Sequence, residues 1–247
     1  MSGQWYLGFD CATKTFAFSL SQINLSLDQI RNLRERLTAA TVLNQKISEW
    51  LVDEKNMAAA IDTLTKLAPI IADLELKSRN LIRIVDGETT DLCPGIPDKN
   101  INTVSRIRAV VNHIRNRIGP SLTKHIPAGA PKLKVLVEFQ MGQNPSARSV
   151  ASAIVAMFVD DDVTIIGPSL KNSIWLSPAG HYGLFAEKYK TSYSANKAHA
   201  KYNFELAEKL FGTNIPITKP AALRGHIADS FMQVLGYLAK GYPQDIE

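Results

Sequence analysis

The stretch KLKVLVEFQMGQNPSAR, Lys132 to Arg148, decides how this chain is read. Val135, Leu136 and Val137 make the short apolar run expected of a strand covered on both faces, and Glu138 closes it with a carboxylate that packing does not require. An Ala- and Ser-rich segment, Asn144 to Val159, follows with helical spacing, and DVTIIGP, Asp162 to Pro168, then reads as another strand. Strand, helix, strand in that order predicts parallel strands, with Glu138 at a carboxyl end.

Towards the N-terminus, QWYLGFD ends in Asp10 and is followed by KTFAFSLSQI. Both are rich in aromatic residues and predict two strands joined by a short turn at Cys11 to Lys14. The period then changes. Ile30, Leu33, Leu37, Ala40, Ile47 and Leu51 follow 3-4 spacing, Asn44 interrupts their seam, and Ser26 with Gln29 forms a capping box. A second helix, Met57 to Lys77, carries Ile61, Leu64, Leu67, Ala68, Ile71 and Leu74. The pair predicts a helical hairpin inserted at residues 26–80, with Trp50, Leu51, Ile70 and Ile71 as an apolar patch for a partner subunit.

NLIRIVDG predicts a third strand and TTDLCPGIPDKN a Pro/Gly loop. From Thr103 to Ile118, Val104, Ile107, Val110, Val111, Ile114 and Ile118 recur at helical spacing, with the arginines expected on the other face. SANKAHAKYNFELAEKLFG and RGHIADSFMQVLGYLAKG predict two final helices. The expectation is one α/β domain over residues 1–247, a mixed five-stranded sheet flanked by helices and carrying the hairpin.

The 247 residues are 45% hydrophobic, enough for a core, which excludes disorder. Cys11 and Cys93 are too few for a disulfide framework or a Cys/His zinc site, so both are expected as free thiols. The N-terminal residues show no signal-peptide pattern, and no apolar run is long enough to span a bilayer. A soluble intracellular protein without a membrane partner is expected.

The formal net charge of +5 is unevenly distributed. From Lys99 to Lys134 there are eight Lys or Arg residues, including Arg106, Arg108, Arg115 and Arg117, and no acid. Between Gly167 and Phe204, Lys171, Lys188, Lys190, Lys197 and Lys201 face one acid, Glu187, with Trp175, Tyr182, Tyr189, Tyr193 and Tyr202 interleaved. Basic surfaces of this kind suit a phosphate backbone, because neutralising phosphates releases counterions.

Asp10 and Glu138 close strands, and Asp229 lies three residues after His226 on the last helix, so those two share a face. The opposite face, Ile227, Phe231, Val234 and Leu238, is expected against the sheet. Ligands of an open α/β sheet bind at the carboxyl ends of its strands. Three carboxylates and an imidazole brought together there repel one another unless a cation neutralises them, and an oxygen-rich set with one nitrogen suits Mg²⁺ or Mn²⁺.

With WYLGFDCATKTFAFSLSQI, VEFQ, GPSLKNSIW, SANKAHAK and the His226/Asp229 pair in this order, the chain resembles the RNase H-like nuclease superfamily. Within it the RuvC-like Holliday-junction resolvases are most similar, in the branch of poxviruses, other large DNA viruses and fungal mitochondria. The resemblance covers residues 81–240 and the first two strands, and not the hairpin. It implies that Asp10, Glu138, His226 and Asp229 hold two Mg²⁺ ions, that Lys171 and Lys197 hold the scissile strand or stabilise charge on phosphorus, and that Arg148 is the arginine expected after Glu138-x-Gln140. It further implies a homodimer acting on branched DNA, above all four-way junctions, with products bearing 5′-phosphates. In a virus the place of action would be the site of viral DNA replication. His226 stands where many relatives have an acid. Two rival readings are an actin-like-fold sugar kinase or ATPase, suggested by GFDCATKTF, and a branched-DNA-binding protein without catalysis. Ala12 in place of Gly and the absence of a later Gly-rich segment weigh against the first, and the full set of site residues weighs against the second.

Overall fold

Five strands form one sheet in the order β3-β2-β1-β4-β5 in the computed structural model, which describes residues 3–11, 15–50, 56–78, 81–138, 145–176, 192–211 and 221–240. The strands are β1 (Gln4–Cys11), β2 (Thr15–Ile23), β3 (Ile82–Asp91), β4 (Lys134–Glu138) and β5 (Asp162–Ile166). β1 runs antiparallel to β2 and parallel to β4, and β4 runs parallel to β5. The helices are α1 (Leu27–Trp50), α2 (Met57–Ser78), α3 (Thr103–His113), α4 (Gly119–His125), α5 (Pro145–Met157), α6 (Ser192–Phe211) and α7 (Ala221–Lys240). This is the mixed five-stranded α/β sheet flanked by helices that the sequence predicts.

The chain divides into two compact units. The first comprises Met1–Asn24, Ile84–Pro168 and Asn214–Phe231. Its core follows from strand alternation. Trp5, Leu7 and Phe9 of β1, Phe16, Phe18 and Leu20 of β2, and Val135 and Val137 of β4 join one apolar cluster with Val110, Ile114, Val150 and Ile154 from the helices. Asp10 and Glu138 alternate to the other face, and burial on both faces explains why β4 reads as a continuous apolar run.

Several boundaries and faces differ from expectation. β3 continues through Thr89, Thr90 and Asp91, because two β-branched residues extend the ladder before Pro94 and Gly95 can end it. Val104 is 62% exposed, whereas Arg106, expected outside, is buried with Nε donating to the Ile101 carbonyl. Asn102 caps α3 through Ser105 N–H and Thr103 meets the Ser146 hydroxyl, which fixes this phase. The helical path also passes Ile118: a π turn at Ile114–Ile118 leads into α4, with Pro120 in its first turn, where a missing N–H is harmless.

That π turn directs Arg117 onto β3. Its guanidinium donates to both Asp86 carboxylate oxygens at 2.7 and 2.8 Å and to Glu88 at 2.7 Å, and it lies 5.3 Å from the centre of the Phe18 ring. Ser121 also donates to Asp86. Burial raises the Asp86 carboxyl, but the bonds from Arg117 and Ser121 outweigh it and hold its pKa at about 2.

The second unit comprises Leu25–Arg83, Ser169–Thr213 and Met232–Glu247. The hairpin is part of it. The capping box is present, with Ser26 N–H donating to Gln29 Oε1 and Gln29 N–H to Ser26 Oγ. Ala40, Ile47 and Leu67 form the seam, with Ile70 and Ile71 packed against it, so these two isoleucines do not stand out as the expected patch. The side chain of Trp50, and Leu51 altogether, lie outside the described residues. On α2 the buried line is Ala60, Thr63, Leu67 and Leu74, while Ile61 and Leu64 are 57% and 43% exposed. Two stripes overlap in this sequence, and the one with small residues allows the closer helix approach. α7 departs from an amphipathic pattern: every residue from Ala228 to Leu238 is buried. Among the described residues no helix is long and apolar enough to cross a membrane, and both cysteines are buried free thiols.

Candidate metal centre

Asp10 is the penultimate residue of β1, and Glu138 is the last of β4. The parallel register pairs Phe9 with Val137, so the next position on each strand brings Asp10 and Glu138 side by side on one face. Both are buried, at 3% and 1% exposure. Rigid β-structure therefore sets the spacing of two carboxylates that water reaches poorly.

α7 adds the other two groups. It begins at Ala221, three residues before the Arg224 start expected from the sequence, so both His226 and Asp229 lie inside the helix. Their i,i+3 spacing keeps them on one face. His226 Nδ1 is 2.7 Å from Asp10 Oδ2. In the tautomer with the proton on Nδ1 the carboxylate accepts this bond, and Nε2 is then left for a ligand. Asp229 is 1% exposed. One ligand atom each from Asp10, His226 and Asp229 lie within 4.8 Å of one another. Glu138 stands outside this grouping but next to Asp10 in the sheet register.

The donor chemistry fits a hard divalent cation: carboxylate oxygens dominate and one imidazole nitrogen is compatible with Mn²⁺ as well as Mg²⁺. Carboxylates buried this close repel one another, and a bound cation would offset that repulsion.

The basic residues separate into classes. Arg108, Arg115 and Arg148 are exposed. Arg106 is buried and Arg117 is committed to Asp86 and Glu88, so these two do not form one exposed row with them. Lys201 is exposed, with Glu205 3.9 Å away. Lys171 lies in the second unit, half-buried in a 3₁₀ turn at Leu170–Asn172. Lys188 and Lys190 and the side chain of Lys197 lie outside the described residues, as do Tyr182 and Tyr189 and the side chain of Tyr193. Trp175 is half-buried, and its indole N–H donates to the Asn172 carbonyl.

Sequence reasoning passed over Asn203 and Thr41, which bind the backbone beside Trp175. A buried asparagine in the apolar run YNFELA was the available signal for the first.

No family model and no curated protein matches the chain. Among solved structures it is similar to the Thermus thermophilus RuvC structure, with 13% sequence identity and a TM-score of 0.44, over 96% of this chain and 97% of that one.

Proposed function

We propose that this chain is a divalent-metal-dependent, structure-specific DNA endonuclease that resolves four-way junctions, as a homodimer, by paired phosphodiester hydrolysis giving 5′-phosphates. The observation that carries the reading is the convergence of Asp10, His226 and Asp229 within 4.8 Å, with Glu138 at the adjoining strand end. Asp10, Glu138, His226 and Asp229 would hold Mg²⁺, or Mn²⁺ in its place, and the bound metal supplies Lewis-acid activation of water and charge neutralisation at the leaving 3′ oxygen. The chain does the positioning. Strand-borne carboxylates need little reorganisation, Asp10 orients the imidazole, and His226 Nε2 is available to a metal or a proton.

Exposed Arg108, Arg115, Arg148 and Lys201, with Lys188 and Lys190, are assigned to the DNA backbone, where each neutralised phosphate adds affinity and salt dependence. Lys171 and Lys197 take their place at the scissile strand from the sequence resemblance. A four-way junction has near two-fold symmetry, so a two-fold pair of chains offers one site to each of two opposed strands. The viral and fungal-mitochondrial branch enters the proposal on Glu138-x-Gln140 and Arg148.

The test is incubation with duplex, forked and four-way-junction DNA, with Mg²⁺, Mn²⁺ or chelator. Paired nicks in the junction that ligase can seal, lost with chelator, support the proposal. Tight junction binding without cleavage in either metal would favour the binding-protein reading. Sugar-dependent ATP hydrolysis without nicking would favour the kinase reading.

A further inference from the structure

The segment after β5 has an unusual set of partners. Ile174, Trp175 and Leu176 offer backbone groups that would pair with a further strand in a sheet, yet side chains take them. Trp175 N–H donates to Thr41 Oγ1 at 3.0 Å, and Asn44 Nδ2 donates to the Trp175 carbonyl at 2.8 Å. Asn203 closes both ends of the next step: its Nδ2 donates to the Ile174 carbonyl and its Oδ1 accepts from Leu176 N–H, each at 2.9 Å. Upstream, Ser173 Oγ donates to the Leu170 carbonyl at 2.7 Å, and α7 passes so near that a Cβ on Gly236 would lie 2.6 Å from that oxygen. The path from Leu170 to Leu176 is therefore fixed by α1, α6 and the part of α7 from Met232 onward, all within the second unit.

Asn44 and Asn203 are fully buried. An apolar seam would hold two helices together without them, and burying an amide is unfavourable unless its bonds are specific. Here the bonds go to a loop backbone and not across the helix seam. The Asn44 that breaks the hydrophobic pattern of α1 is thus explained by what it holds. Lys171 sits in the same pinned span, four residues before Trp175.

We propose that the helical insertion presets the Lys171 turn, with Thr41, Asn44 and Asn203 as positioning residues for that lysine in DNA cleavage. This rests on the proposed nuclease function and on the role given there to Lys171. It assigns the hairpin a task in substrate handling in addition to its own packing. The residues act through the backbone of residues 174–176 and touch neither DNA nor metal.

The decisive probe is Thr41→Val, which keeps the size and shape of the half-buried threonine and removes the acceptor for Trp175 N–H. Thr41→Ser keeps the hydroxyl and is the rescue, and Asn44→Leu is the second probe should the first fold poorly. Each is made in the parent and in a Lys171→Ala background. Junction cleavage is measured as kcat and KM, and Trp175 amide exchange is followed in parallel. Thr41→Val is expected to speed Trp175 exchange and to lower kcat on the order of 10-fold, short of the roughly 100-fold that a 1 Å misplacement brings, with little change in KM. Thr41→Ser restores kcat. In the Lys171→Ala background Thr41→Val then has no further effect, since the two share one route. Additive losses would overturn the proposal, as would faster Trp175 exchange at unchanged kcat. Parent-like cleavage by Lys171→Ala would overturn it while leaving the nuclease reading intact. No metal-dependent cleavage by the parent would sink both.

Discussion

Replacing Arg117 with methionine should destabilise the protein in a pH-dependent way. The substitution keeps an unbranched stem over Phe18 and removes the two bonds to Asp86 and the one to Glu88. Asp86 ionises at about 2 in the folded chain against an ordinary 3.8. At 1.36 kcal/mol per pH unit this lowering is worth roughly 2.4 kcal/mol. The bonds from Ser121 and the Gly87 N–H, which the variant keeps, supply part of that lowering, and the Arg117 side chain is 36% exposed, so the expected loss is about 1–1.5 kcal/mol. A depressed carboxyl contributes stability above its unfolded pKa and loses it as pH falls through the folded one. The gap between parent and variant is therefore full above about pH 4 and closes towards pH 2. Urea unfolding followed by circular dichroism from pH 7 to 2.5 measures it. A gap below about 0.5 kcal/mol at pH 7, or one of equal size at pH 2.5, would refute the reasoning.

Asp10→Asn and Glu138→Gln should each abolish metal-dependent cleavage while leaving junction affinity intact, which gel shift and nicking assays on one preparation would compare; normal turnover by both variants would remove the metal-centre reading. Arg108→Glu and Arg115→Glu should weaken junction binding and flatten its dependence on salt by about one unit each, whereas Arg117→Met should leave that slope unchanged. Gly236→Ala should lower the melting temperature, because a Cβ 2.6 Å from the Leu170 carbonyl costs about 1–3 kcal/mol of overpacking against a gain near 1 from helix propensity. A melting temperature at or above the parent's would show that α7 has room there.

The legible parts of the sequence were those where one local signal had no competitor. Val135 to Glu138 could only be a covered strand with a carboxylate at its end, and Ser26 with Gln29 could only be a cap. The misread parts offered two solutions of similar local quality. α2 carries overlapping apolar stripes, and tertiary approach between helices chose the one with Ala60 and Thr63. Arg106 looked like surface because its charge hides an apolar stem, and its bond to the Ile101 carbonyl exists only in the folded chain. The helical pattern was followed only to Ile118, although proline at the start of a turn is compatible with a continuing helix. For the candidate site, the sequence offered Asp10, Glu138, His226 and Asp229 as an expectation, but the 2.7 Å contact between groups 216 residues apart was not legible.

The parallel pairing of β1 with β4 also sets a timetable. Tyr6 meets Lys134, so during synthesis β1 waits for a partner 128 residues behind it, 134 minus 6. At roughly 5–20 residues per second that is about 6–26 s, during which an almost wholly apolar strand has only β2 to pair with. Asp10 waits longer for His226, 216 residues on, or about 11–43 s. Long-range closure of this kind is slow, because loop entropy is lost before the distant pairing is gained. It also gives the polypeptide a built-in latency: the cluster of Asp10, His226 and Asp229 cannot assemble until synthesis has passed residue 229.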